Sequence, residues 1–260
     1  MRQKIDDGRP IDWGDTSEDY ATFRPGPPEA FYDVLKALGI GLPGQSVLDL
    51  GTGTGVIARA WAQRGAVVAG IDIAREQIDQ ARRLAQLAGL QIDFRVAPAE
   101  DPPFSDHCFD VATANQCFLY LDPDRTLSSL RRVLVPGGRL VTSHFNWLPR
   151  LDAIARRSEQ LVLKFNPSWQ GADFDGIVAA VPDWAPPDVV VEAHFWFDVD
   201  VPFDRESWRG RMRASRGIGA TLSPDDVRAF DREHADLLAQ TAPPEFTVKH
   251  RVDARILRLP

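Results

Sequence analysis

The chain has 260 residues and only two cysteines, Cys108 and Cys117. That is too few for a disulfide framework. The five histidines, His107, His144, His194, His234 and His250, show no H-x-x-x-H or Cys/His spacing, so no metal site is expected. A G-x-S-x-G elbow is missing, which removes the serine hydrolases of that type. No apolar run approaches roughly 18 uncharged residues, so no membrane partner is expected. The opening MRQKIDDGRPIDWGD lacks the apolar centre of a secretion signal. With so few thiols, a reducing, cytoplasmic compartment is expected. Positive charge is also in deficit, with 30 Lys and Arg against 37 Asp and Glu and a net charge of −7. Nucleic-acid affinity depends on neutralising phosphates, so no nucleic-acid partner is expected. Repeats and low-complexity tracts are missing too, while a homo-oligomer is compatible with everything above.

What is present is a globular composition, 44% apolar and 26% charged. Ser17 caps a first helix whose opening turn holds Glu18 and Asp19, and Arg24-Pro25-Gly26-Pro27-Pro28 breaks it. A second helix runs from Glu29 to Leu38, with Gly39 and Gly41 beyond it. Short apolar runs at 46–50, 66–71, 91–96, 109–114 and 139–143 then alternate with helical patterns at 56–64, 74–88 and 122–135. Such alternation predicts a parallel sheet with right-handed crossovers. Further on, 149–165 reads as a helix, 166–187 as loop with short helical pieces, 189–199 as a strand, 205–216 and 223–240 as helices, and 246–257 as a last strand. The pattern implies N-terminal cap helices over 1–45 and a catalytic domain over 46–260, with cap inserts at about 149–188 and 204–242.

The segment Val47-Leu48-Asp49-Leu50-Gly51-Thr52-Gly53-Thr54-Gly55 joins a strand to a helix, and Asp72 closes the next strand. Glycine allows a tight turn and close approach of a ligand. An acid at the end of the second strand can accept hydrogen bonds from both ribose hydroxyls. A dinucleotide loop reads G-x-G-x-x-G, but counting from Gly51 the sixth position is Val56. The G-x-G-x-G spacing favours a ligand without a pyrophosphate, such as S-adenosylmethionine (SAM), over NAD. A tight turn with no ligand is the plain alternative, but it leaves Asp49 and Asp72 without a role.

These residues resemble the class I SAM-dependent methyltransferases, specifically the type 11 group that includes the ubiquinone and menaquinone biosynthesis C-methyltransferases. The resemblance covers residues 46–143. It implies an α/β fold, a Rossmann-like and mostly parallel seven-stranded sheet with an antiparallel last strand and helical cap inserts. It also implies that Asp49, Gly51, Thr52, Gly53 and Gly55 line the methionine part of SAM, that Asp72 holds the ribose, that Ile73 packs on the adenine, and that Gln77 borders the cofactor. The family's third segment often reads G-D-A-E-x-L-P-F; this chain has Ala97-Pro98-Ala99-Glu100-Asp101-Pro102-Pro103-Phe104. Pro98 replaces the acid that would meet the adenine amine, which leaves Glu100 or the Ala99 backbone for that contact. Asn115 and Gln116 would sit near the sulfonium, and Pro136-Gly137-Gly138 matches the turn before the fifth strand.

Methyl transfer from a sulfonium is an in-line displacement in which alignment and desolvation supply much of the rate. A base is needed only when the acceptor must lose a proton. His144, after the fifth strand, and Tyr20, on the cap helix, are the expected catalytic groups; a loop hydrogen bond and plain packing are the alternatives. Trp13, Phe118, Tyr120 and Trp147 are the expected aromatic lining of the acceptor pocket, against simple core packing. Arg209, Arg213 and Arg216, with Arg211 nearby, could bind an acceptor carboxylate or phosphate, although a solvated face or a subunit contact is the plainer reading. The expected function is methylation of a small molecule on N, O or C, with S-adenosylhomocysteine (SAH) as product. A non-catalytic SAM/SAH-binding module is the alternative.

Overall fold

The computed structural model describes residues 5–8 and 10–259. A short 3-10 turn and two helices, α1 (Ser17–Phe23) and α2 (Glu29–Ala37), precede the sheet. Then come β1 (Ser46–Leu50), α3 (Val56–Gln63), β2 (Val67–Asp72), α4 (Arg75–Leu87), β3 (Asp93–Val96) and β4 (Phe109–Asn115). They are followed by α5 (Pro123–Val133), β5 (Leu134–Trp147), α6 (Ala153–Phe165), β6 (Val190–Asp204), α7 (Arg205–Arg213), α8 (Pro224–Thr241) and β7 (Glu245–Arg258).

The strands form one seven-stranded sheet in the order β3-β2-β1-β4-β5-β7-β6. β1 to β5 pair in parallel, and β7 runs antiparallel to both β5 and β6. The chain leaves β1 towards β2 and β3, then returns across it to β4. The β1–β4 junction is therefore the switch point, where the loops at the strand ends diverge and leave a crevice.

Alternate strand residues serve opposite faces. Val47, Val68, Val111 and Val141 pack under α2, α3 and α4 with Phe31, Ile57, Trp61 and Ile78. Leu48, Leu50, Ala112 and Leu140 pack under α5 with Leu127 and Leu130. A third cluster, containing Trp147, Trp208, Met212, Phe230 and Val248, joins α6, α7 and α8 to the far ends of the long strands. Within it α7 lies hard against α1: a Cβ placed on Gly210 would fall 2.1 Å from Phe23 Cδ2. α7 begins with a capping box between Asp204 and Ser207.

Several expectations shift. The fifth strand is much longer than 139–143 because it continues through Pro136-Gly137-Gly138 as an irregularity: its register against β4 jumps between the Phe109 and Val111 pairs. Beyond β4 it continues by pairing with β7 as far as Trp147↔His250. α6 starts at Ala153, because Asp152 accepts from the Ile154 and Ala155 amides and caps it there. The helix expected over 205–216 ends at Arg213, and residues 166–188 contain turns and bends but no helical piece. None of the described helices is long and apolar enough to cross a membrane.

Candidate cofactor and acceptor site

The loop after β1 holds three glycines in the left-handed region, Gly51 (φ 56), Gly53 (φ 54) and Gly55 (φ 76). Their surroundings differ. A Cβ on Gly51 would lie 2.7 Å from Cys117 Cβ, and one on Gly55 2.8 Å from Phe94 Cζ, so both serve close packing. At Gly53 the nearest atoms, Gln77 Oε1 and Tyr20 Cε1, are 3.7 Å away, so this is the open side of the loop.

Asp72 fastens that side. Its Oδ2 accepts from the Gly53 amide and its Oδ1 from the Ala74 amide, both at 2.9 Å. Burial pushes the Asp72 carboxyl above the ordinary range, and these amides oppose the shift. Asp49 is 2% exposed and accepts from the Thr52 and Thr113 hydroxyls at 2.6 Å each. Burial raises it to about 6, with the neighbouring Asp72 charge acting in the same direction. Two carboxylates thus stand at the ends of adjacent strands with no cation paired to either among the described residues.

The N-terminal segment covers this loop. The buried Gln77 side chain donates from Nε2 to the Trp13 carbonyl at 2.6 Å, while its Oε1 is buried without a partner. Arg24 lies over the Tyr20 ring at 4.5 Å and donates to Gln116 Oε1. Gln116, itself in a left-handed conformation (φ 58), donates to Asn146 Oδ1 at 3.0 Å and to the Phe145 carbonyl. Asn115 Oδ1 accepts from the Ser143 hydroxyl at 3.1 Å. Tyr20, Arg24, Asp49, Gly51, Thr52, Asn115 and Phe145 line a cavity of about 20 Å³. Small-molecule pockets usually measure about 300–1,000 Å³.

The donor set fits a nucleoside with a charged amino-acid tail. The Asp72 carboxylate, beside the open Gly53, suits a vicinal diol; Gln77 Oε1 awaits a donor; Asp49 and Asp72 supply negative field at the strand ends. SAM carries a diol, an amine and a sulfonium that match these groups.

Other expected residues are not part of that cavity's lining. Ile73 is 61% exposed, just past β2, and Ala99 is buried. Glu100 uses its carboxylate to accept from the Asp122 amide at 3.1 Å at the start of α5. Phe118 is buried on the α5 face and stacks on Trp184 with ring centroids 4.0 Å apart. Trp13 meets Tyr120 edge-on at 5.6 Å, and the Tyr120 hydroxyl is near Arg216. Trp147 is in the third core cluster, its indole donating to Glu159 Oε1 at 2.6 Å. His144 points to the face opposite Phe145 and meets Asp253 Oδ1 from its Nδ1 at 3.1 Å. Neither Phe118, Trp147 nor His144 lines the cavity. Arg24 does, although its R-P-G-P-P setting reads only as a helix breaker.

Residues 48–142 match the family model described as a methyltransferase domain. The sheet has the class I, Rossmann-like methyltransferase fold. The chain is 43% identical over 102 residues to a demethylmenaquinone methyltransferase of Thermus thermophilus, an alignment covering 38% of this chain and 46% of that one. It is 34% identical over 130 residues to a ubiquinone biosynthesis O-methyltransferase of Stutzerimonas stutzeri, covering 49% and 56%. It thus spans about half the length of these curated relatives. A solved structure from Anaeromyxobacter dehalogenans, described as a candidate type II methyltransferase, shares the fold at a TM-score of 0.58 and 22% identity, covering 92% of this chain and 98% of that one. The fold is also that of the [4+2]-cyclase SpnF, at a TM-score of 0.51 and 21% identity, covering 89% and 81%.

Proposed function

We propose that the protein is a SAM-dependent methyltransferase that acts on a small-molecule acceptor and releases SAH. The observation that carries this is the Asp72 carboxylate pinned to the amide of Gly53, the one loop glycine with space beside it. When bound, SAM supplies a methyl group activated by its sulfonium charge. Asp72 holds the ribose hydroxyls. Asp49 and Asp72 favour a cationic ligand at the strand ends. Arg24 meets the carboxylate of the methionine tail. Tyr20 and Phe145 close over the site and exclude water, so that orientation and desolvation contribute most of the acceleration.

Residues 1–45 and the inserts at about 149–188 and 204–242 act as the cap in this reading. Tyr20 is the acceptor-facing candidate. His144 is left out of the acceptor machinery, because its ring is held against Asp253 on the other face of the sheet. The two unpaired cysteines and the bacterial relatives support a bacterial, cytoplasmic setting.

Calorimetric titration with SAM, followed by a transfer assay with a radiolabelled methyl group against phenol, amine, carboxylate and activated-carbon acceptors, tests the proposal. Binding with turnover on one class supports it. Binding without turnover on every class identifies a SAM-binding module instead, and absence of binding removes the reading altogether. Fold alone would not decide this, since one sheet hosts unrelated chemistry.

A further inference from the structure

Four arginines cluster near the end of α7, and three have carboxylate partners. Arg209 pairs with Asp231 and with Glu206. Arg213 reaches Asp231 at 2.6 Å and Asp19 at 3.0 Å. Arg216 Nε lies 2.9 Å from Asp6. Arg211 is different. It is 4% exposed, makes no ion pair among the described residues, and its buried Nη1 has no hydrogen-bond partner. Its guanidinium lies over the Trp147 ring at 4.6 Å.

A buried, unpaired cation is costly, and it persists in a fold only where something else offsets the cost. Of the two titratable groups that act on Arg211, the stronger deepens the deficit and Tyr20 opposes it. Arg24, a second guanidinium with no carboxylate partner among the described residues, repels it, and Tyr20 acts in its favour. Burial with this repulsion lowers Arg211 to about 9, which leaves it charged at neutral pH. His250, which packs on Trp147 and Phe145, is held neutral by burial, its proton affinity depressed to about 3, so it adds no charge of either sign. Arg24 and Tyr20 line the cavity above Asp49 and Gly51. Arg24, the guanidinium that acts on Arg211, therefore borders this cavity.

The balance of charge specifies the ligand. SAM brings one carboxylate, enough for Arg24 and not for both guanidiniums. We propose that Arg211 is the binding residue for an anionic group, a carboxylate or phosphate, carried by the methyl acceptor, and that neutral acceptors are rejected because they leave this cation buried and unpaired. This deepens the methyltransferase reading and rests on it. The discrimination follows the general asymmetry that an unmet buried polar group costs more than a met one returns. The Trp147 ring beside the guanidinium suits a flat, aromatic anion.

The test uses the full chain with saturating SAH at neutral pH. It is titrated calorimetrically with two anion–neutral probe pairs, benzoate against the near-isosteric benzamide and phenyl phosphate against its neutral dimethyl ester. The wild type should bind at least one anion about tenfold or more tightly than its neutral partner, the scale of a desolvated charge-assisted bond. Arg211→Met should abolish this preference, Arg211→Lys should retain part of it, and SAM affinity should stay within about twofold in both. Equal binding or no binding of both members of each pair to the wild type overturns the proposal. So does a large loss of SAM affinity in Arg211→Met, which would assign the residue to the cofactor's own carboxylate. If the wild type binds neither SAM nor SAH, the methyltransferase reading itself has failed. That result is distinct from SAM binding without anion preference.

Discussion

Replacing Asp72 separates a cofactor contact from a loop anchor, and the two roles leave different signatures. Both carboxylate oxygens already accept a backbone amide, from Gly53 and Ala74. The carboxylate keeps acceptor capacity beyond these amides, and a ribose diol would use it for charge-assisted bonds. Asp72→Ala removes these, and the expected loss is about 1.5–3 kcal/mol in SAM binding, or roughly 10- to 150-fold in Kd. It also leaves the Gly53 and Ala74 amides unpaired, at a cost of about 1–3 kcal/mol in stability. Asp72→Asn keeps one carbonyl acceptor and loses the charge, so its affinity should fall by less and its melting temperature should be nearer the wild type. Calorimetric titration with SAM, together with scanning calorimetry of each variant without ligand, reads both terms. Because burial raises the Asp72 carboxyl, wild-type affinity should also start to fall at a higher pH than for an exposed aspartate, as the carboxylate takes up a proton. A Kd within twofold of wild type in Asp72→Ala, with a lowered melting temperature, would show that Asp72 only anchors the loop.

Asp49 is raised to about 6 from 3.8, so the folded state binds a proton more tightly than the unfolded chain, and its ionisation costs stability, about 3 kcal/mol at neutral pH. The wild type should therefore gain stability relative to Asp49→Asn as pH falls from about 6 to about 4, which paired denaturant titrations would detect; parallel pH profiles would refute it. In the absence of ligands, Arg211→Met should raise the melting temperature by roughly 4–8 °C, from about 2 kcal/mol of relieved burial, whereas a structural arginine would lower it. Gly210→Ala should destabilise by about 1–3 kcal/mol although alanine favours helix, because the methyl meets the Phe23 ring; unchanged stability would mean that α1 does not depend on this contact.

The parts of the molecule that were legible in the sequence depend on short-range physics. Apolar runs of strand length between helical periods identified the parallel core, and the positions of Gly51, Gly53, Gly55 and Asp72 are local to one strand–loop–helix–strand unit. Boundaries were less legible where a partner strand decides them. β5 extends past β4 only because β7 pairs with residues as far as Trp147. The Pro136-Gly137-Gly138 turn remains inside the strand because the ladder resumes with a shifted register.

Side-chain roles in the cap were the least legible, because they depend on which distant acids and rings come to lie nearby. Phe118 and Trp147 are as aromatic as any pocket residue, yet Trp184 and Glu159 draw them into the core. His144 follows the same strand as Phe145, but the two-residue period sends it to the opposite face, against Asp253.

By itself, the sequence determined the sheet class and the glycine loop with its acid, since backbone conformation and periodicity are properties of neighbouring residues. Only the tertiary structure decided which of three identical-looking glycines is open, and which of four clustered arginines lacks a counter-ion among the described residues. Those outcomes depend on Tyr20, Phe94, Cys117, Asp6, Asp19 and Asp231, which are far away in the chain and meet the loop or α7 only when the sheet and its cap close.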